Sequence, residues 1–171
     1  MKREIERRFL VSGEGWRGVE ASFYSQAYLH AEPGCTVRVR LSKEAAGEPA
    51  NQPANERANE RAWLTIKGKP SDSGMSRDEF EYGIPVADAE RLVAMATAGR
   101  VEKWRRVVLV DGLRWEVDEF IGRHAGLVLA EIELESETQP FFRPDWLGEE
   151  VTRDPRYSNA SLAANPYPFE S

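Results

Sequence analysis

The chain has 171 residues, 41% hydrophobic and 30% charged, and sets 23 Lys+Arg against 29 Asp+Glu for a formal net charge of −6. That length suits one domain with room for a real core, so residues 1–171 are read as a single domain. The acidic balance, with a pI near 5.1, argues against a dedicated nucleic-acid or anionic-membrane binder.

The opening stretch MKREIERRFLV carries charges throughout and has no apolar leader core. From there, apolar and charged residues alternate with period two, the strand period, in eight segments: about 3–11, 23–30, 35–42, 62–69, 76–84, 102–111, 112–120 and 126–135. Asp111-Gly112 between the sixth and seventh is a hairpin signal. Eight antiparallel strands can close into a barrel wide enough for one small ligand.

Residues 43–61 are polar, contain prolines and repeat ANERANER, which predicts a mobile loop. Glu and Arg recur at its end, so a helix over ANERANERAW is the alternative, weakened by a poor apolar face. The one well-marked helix is expected at about 87–98, after Pro85, with Asp88 as cap and Gly99 at the left-handed C-terminal position. Its apolar stripe, Ala89, Leu92, Val93 and Ala96, is expected to pack on the sheet exterior. Further helical turns are predicted at 137–142 and at 158–164, the latter stopped by Asn165-Pro166 within a C-terminal helix and tail over 156–171.

Alternation alone says little, because any half-buried strand shows it. Here, however, the polar faces carry paired charges of both signs. The first strand offers Glu4, Glu6 and Arg8; the third Arg38 and Arg40; the fourth Thr65, Lys67 and Lys69; the fifth Arg77, Glu79 and Glu81. The sixth offers Lys103 and Arg105, the seventh Arg114, Glu116 and Asp118, and the eighth Glu131 and Glu133. Solvent-facing charge on an open sheet remains the alternative, but such a sheet needs its other face buried and one helix covers only part of it.

Closed with these faces inward, the barrel would enclose about eight cations and about as many carboxylates, each costing several kcal/mol unless paired or hydrated. A polyanion with divalent cations satisfies both signs at once. Adjacent carboxylates offer hard oxygen ligands to Mg²⁺ or Mn²⁺, and Lys and Arg neutralise phosphate oxygens. Phosphoryl transfer, which needs mainly positioning and charge stabilisation, fits such an interior.

Other residues carry less chemistry. His30 and His124 lack partners at metal spacing and are expected at the surface or at strand ends. The lone Cys35 forms no internal disulfide, is expected to pack rather than react, and suits a reducing, cytoplasmic setting. The five tryptophans are expected in the outer core, and no glycine-rich phosphate loop or H-E-x-x-H motif occurs.

The order of motifs resembles the CYTH or triphosphate tunnel metalloenzyme superfamily, in particular its short bacterial members. An E-x-E-x-K hallmark appears as Glu4-Ile5-Glu6-Arg7-Arg8, with arginine in place of the lysine. There follow Gln26-Ala27-Tyr28-Leu29, Arg38 and Arg40 of an R-x-R, Leu64-Thr65-Ile66-Lys67, and Ser76-Arg77-Asp78-Glu79-Phe80-Glu81. Then come Glu102-Lys103-Trp104-Arg105, Glu116-Val117-Asp118, Glu131-Ile132-Glu133, Glu149-Glu150-Val151-Thr152 and Arg156-Tyr157-Ser158-Asn159.

The resemblance implies an α+β, mainly β fold: an eight-stranded, closed antiparallel barrel with a few flanking helices, binding a triphosphate lengthwise. It implies Glu4, Glu6, Asp118, Glu131 and Glu133 as metal candidates for Mg²⁺ or Mn²⁺, with Glu79 and Glu81 as further metal or water-orienting groups. Arg8, Arg38, Arg40, Lys67, Arg77, Lys103, Arg105 and Arg156 would grip phosphate, and Glu4, Glu6, Lys103 and Glu133 are the catalytic candidates. Arginine at position 8 holds phosphate but cannot lose its proton near neutral pH.

The expected activity is metal-dependent hydrolysis of inorganic tripolyphosphate, since no residues are arranged to read a base. The same superfamily hosts nucleoside and thiamine triphosphatases and class IV adenylate cyclases, and a non-catalytic polyphosphate or nucleotide binder is the alternative of another class. The paired carboxylates speak against a pure binder, which gains nothing from negative charge beside its ligand without metal. The expected partner is a small-molecule triphosphate, with no nucleic acid and no membrane, and a homodimer is left open.

Overall fold

The computed structural model describes residues 2–44, 59–73 and 75–169, with side chains from Ile5 onward at the N-terminus. Nine strands appear: β1 (Lys2–Val11), β2 (Ala21–Glu32), β3 (Cys35–Lys43), β4 (Glu60–Gly68), β5 (Ser76–Ile84), β6 (Arg100–Val110), β7 (Leu113–Phe120), β8 (Val128–Glu133) and β9 (Leu147–Glu150). Two helices, α1 (Val86–Met95) and α2 (Asn159–Ala164), accompany them. No helix among the described residues is long and apolar enough to cross a membrane.

The first eight strands form a closed antiparallel barrel in the order β5-β4-β3-β2-β6-β7-β8-β1, shut by pairing of β1 with β5. β1 makes the closure by changing partners along its length. Lys2 to Ile5 pair with β5 on one edge, Glu6 to Leu10 pair with β8 on the other, and Phe9 and Val11 pair with the short β9. At Asp111 and Gly112 both φ angles are positive, 51° and 76°, the geometry of a two-residue turn that matches strand twist.

The apolar parity of the strands packs outward, against covering segments rather than into the barrel. Phe9, Trp115, Val117, Ala130 and Ile132 meet Trp16 and Trp146 in one cluster. Trp115 stacks edge-on against Trp146 and Phe141, with centroids 5.7 and 5.6 Å apart, each pair adding about 0.5–1.5 kcal/mol beyond its buried area. On the other side, Val86 and Ala89 of α1 pack on Val39 and Ala62, joined by Leu92 and Val93, as the predicted stripe requires. A third cluster plugs one end of the barrel: Tyr28, Val101, Phe120 and Leu129 gather around Leu162 and Ala163 of α2.

Several local expectations change. Asp88 is not a cap: α1 begins after Pro85 with no side-chain capping bond, leaving Asp88 in the first turn. The helix also ends earlier, with Ala96 extended, because Ala98 and Gly99 exchange backbone bonds with Tyr28 instead. No helix forms over 137–142, where Pro140 follows a single turn closed by Gln139 N–H donating to the Ser136 carbonyl. β9 has no counterpart among the eight expected segments, since its four residues give too short an alternation to read. His124 is buried, its Nε2 2.5 Å from the Leu162 carbonyl, whereas Cys35 is exposed at the head of β3. Of the tryptophans, Trp63 points into the barrel beneath the Arg40 guanidinium, 4.6 Å from its ring centre, and Trp104 is 40% exposed. Positions 45–58 of the predicted loop lie outside the described residues.

Candidate functional site

Strand parity decides which side chains enter the barrel. Because Phe9, Val39, Ala62, Trp115, Val117, Ala130 and Ile132 join the outer clusters, their alternates point inward. The inward set thus includes Glu6 and Arg8, Arg38 and Arg40, Thr65 and Lys67, Arg105, Glu116 and Asp118, and Glu131 and Glu133. A cavity of ≈ 1890 Å³ is lined by Glu6, Arg8, Arg38, Arg40, Lys67, Arg77, Glu79, Glu81, Arg105, Glu116, Glu131 and Glu133. The alternation in the sequence is therefore a bipolar interior, not the face of an open sheet.

The two signs are distributed unevenly around the ring. In the strand order, β3 lies opposite β8, so Arg38 and Arg40 face the wall that carries Glu131 and Glu133. The β3–β5 wall holds Arg38, Arg40, Lys67 and Arg77 with Glu79 and Glu81. Lys67 Nζ lies 2.8 Å from Glu79, and Glu81 accepts from Thr65 Oγ1 at 3.0 Å and Arg40 Nη2 at 3.2 Å. Arg38 Nη1 donates to Gln26 Oε1 at 2.8 Å, while the buried Nε atoms of Arg38 and Arg40 find no partner among the described residues. Unused donors facing a cavity await acceptors.

On the other wall, Arg8 joins two carboxylates: its Nε donates to Glu131 at 2.6 Å and its Nη2 to Glu6 at 2.8 Å. Arg77 approaches Glu6 at 3.5 Å, and Arg105 approaches Glu131 at 3.9 Å. Arg105 also binds Asp118 with two parallel bonds, 2.6 and 2.8 Å, and pairs with Glu116, which Arg114 holds from the other side. Burial opposes the charge on Glu131, yet Arg8, Lys103 and Arg105 outweigh it and hold its carboxyl well below the usual range. The same contest, won chiefly by Arg105, keeps Glu116 and Asp118 low.

Lys103 and Asp118 share the inward face but are closed off from solvent, Lys103 reaching Asn159 of α2 and lying over the Phe120 ring. Lys103 is fully buried, donates to Asp118 at 2.5 Å and to Asn159 Oδ1 at 3.0 Å, and burial lowers its ammonium to about 8 against the pull of Asp118. Arg156 lies apart from the lining; it is exposed, fork-bonded to Asp154 and laid over Phe169. β1 pairs Glu4 with Arg77 in register, but the Glu4 side chain lies outside the described residues.

Parity was legible for Glu116, which the same alternation carries inward, though it was not singled out for a role. Gln26, Tyr28 and Asn159 stand in the motif order, but the charge alternation assigns them no role. β2 presents aromatic and amide groups inward, so charge alternation does not mark its phase, and Asn159 reaches Lys103 only because α2 folds across the barrel end.

Donor chemistry tests whether these residues suit a divalent cation. β1 and β8 pair Glu6 with Glu133 and Arg8 with Glu131, so three carboxylates occupy neighbouring rungs of one ladder. Hard oxygen donors in that arrangement fit Mg²⁺ or Mn²⁺. Among the described residues no three such groups are drawn together closely enough to hold a metal, and the Arg8 guanidinium stands between Glu6 and Glu131.

Comparison with known proteins places this geometry. A family model described as the CYTH domain matches residues 2–167. An inorganic triphosphatase of Acetivibrio thermocellus is 40% identical over 169 residues, 98% of this chain and 97% of its own length. One from Nitrosomonas europaea is 36% identical over 163 residues, 94% and 96% of the two chains. The crystal structure of the inorganic triphosphatase NE1496 superposes with a TM-score of 0.62 at 33% identity, covering 96% of this chain and 97% of that one.

Proposed function

Because the chain belongs to the CYTH domain family, whose enzymes are metal-dependent, we propose that it is an inorganic triphosphatase acting on tripolyphosphate with Mg²⁺ or Mn²⁺. The observation that carries this reading is the cationic pair Arg38 and Arg40 of β3, with Lys67 on the next strand, set across one cavity from Glu131 and Glu133 of β8, while Arg77 and Glu6 meet where β5 and β1 close the barrel. A linear polyanion satisfies the basic groups and a hard cation the carboxylates. The lone, exposed Cys35 supports a reducing, cytoplasmic setting.

Arg38 and Arg40, with unused Nε donors, are assigned to non-bridging phosphate oxygens, and Lys67 and Arg77 to the same chain along the barrel. Glu6, Glu131 and Glu133 are assigned to the metal, with Glu4 completing the motif; Asp118 can join only by giving up bonds to Lys103 and Arg105. When bound, the metal supplies charge neutralisation and an acidified water. Water would attack the terminal phosphorus as its bridging P–O bond breaks, its proton passing to solvent, to yield orthophosphate and pyrophosphate. Arg105, locked to Asp118 and Glu116, stabilises the charge left on the departing pyrophosphate without reorganising. Lys103, whose ammonium burial pushes down to about 8 against the pull of Asp118, adds positive charge beside Glu131. Glu79 and Glu81, already engaged by Lys67, Thr65 and Arg40, orient those groups and are the further water-orienting candidates. Arg156 is assigned to the rim.

The product separates this reading from cyclisation. ATP with metal should release orthophosphate and no cyclic AMP; cyclic AMP with pyrophosphate would move the function to a cyclase. Binding of tripolyphosphate with no product in either metal would leave a binding module.

A further inference from the structure

We propose that Arg8 is the resident counter-cation of Glu6 and Glu131 and that a divalent cation enters this carboxylate pair by displacing its guanidinium. The inference rests on the metal assignment above and concerns what the protein's own side chains do in its absence. Arg8 reaches Glu131 at 2.6 Å and Glu6 at 2.8 Å, and its side chain is only 8% exposed. Arg77 and Arg105 stand farther off, at 3.5 Å from Glu6 and 3.9 Å from Glu131, so each contacts one of the two carboxylates. Among the described residues, Arg8 is the group within hydrogen-bond distance of both.

Two consequences follow from its chemistry. A guanidinium cannot lose its proton near neutral pH, so Arg8 cannot yield to a metal by becoming neutral; it must move. Its planar fork suits phosphate as well as carboxylate, and the cavity that Arg8 lines is where phosphate is assigned. Transfer of the fork from Glu6 and Glu131 to phosphate oxygens would free both carboxylates for metal. Metal and triphosphate would then promote each other's binding through one side chain.

The test is Mn²⁺ affinity without substrate, by titration calorimetry, for the wild type, Arg8→Gln, Arg8→Lys and Glu131→Gln. Removing the competing fork should tighten Mn²⁺ binding by about tenfold or more in Arg8→Gln, with Arg8→Lys between it and the wild type. Glu131→Gln should weaken it. Affinity unchanged or weakened in Arg8→Gln, with Glu131→Gln still weakened, would overturn the role of Arg8 and leave the metal site standing. Wild-type affinity in Glu131→Gln would overturn the metal assignment itself. If Arg8→Gln unfolds because two buried carboxylates lose their partner, recovery of its folded signal by Mn²⁺ supports the proposal and failure to recover contradicts it.

Discussion

Lys103 Nζ lies 2.5 Å from Asp118 Oδ2 with both side chains closed off from solvent, and the same carboxylate accepts two bonds from Arg105. Asp118 thus anchors the cations on which the interior field rests. Removing one member of such a buried pair leaves an uncompensated charge, which costs about 3–5 kcal/mol. Asp118→Asn should lose stability of that order in urea unfolding; a loss under about 1 kcal/mol would show that Lys103 and Arg105 hold themselves by other means.

The role proposed for Arg38 is in substrate binding. Its Nε is buried with no partner among the described residues, its Nη1 donates to the neutral Gln26, and Glu81 stands 4.0 Å from its Nη2. A charge-assisted bond contributes about 1.5–3 kcal/mol, so Arg38→Ala should raise KM for tripolyphosphate about 10–100-fold. Steady-state kinetics with kcat largely kept would identify ground-state binding, and a fall in kcat alone would contradict it.

Acid should unfold the protein through its interior carboxylates. Glu116 and Glu131 ordinarily titrate near 4.5 and Asp118 near 3.8, and all three are held lower in the fold, with burial opposing and neighbouring cations prevailing. Folded values below unfolded ones mean that their stabilisation is complete above the unfolded titration range and is lost as pH falls through the folded values. The melting temperature should therefore hold from neutrality to about pH 5 and drop below it. A melting temperature unchanged down to pH 3 would contradict this.

Gly99 fixes how closely α2 approaches the barrel end. Its φ is +99°, and a Cβ there would lie 2.1 Å from the Ala163 carbonyl oxygen. Gly99→Ala combines left-handed strain of about 1–2 kcal/mol with a clash against backbone, so α2 must shift. Hydrogen exchange should show loss of protection at Leu162 and Asn165, whose amides close α2; full protection would mean that the plug does not depend on this contact.

Much of this was legible in the sequence because one physical rule, the two-residue period of a strand, sets both fold and site. Arg38 and Arg40 against Val37, Val39 and Leu41 already state that one face is charged and the other packed. The strand positions and the barrel follow from it, as does the cavity lining from Glu6 round to Glu133. What period cannot give is depth: Lys103 and Arg105 share a face, yet Lys103 is closed off against α2 and Arg105 lines the cavity. Nor can it give contacts made across the chain. Asn159 meets Lys103, and His124 meets Leu162, because α2 returns to the barrel end over a distance no local pattern spans.

The triphosphatase assignment is decided by orthophosphate release from tripolyphosphate, compared with pyrophosphate and ATP in Mg²⁺, Mn²⁺ or chelator. Release should need metal, be fastest on tripolyphosphate and be lost in Glu131→Gln. Release that persists in chelator, or none from tripolyphosphate while ATP is consumed, would contradict it.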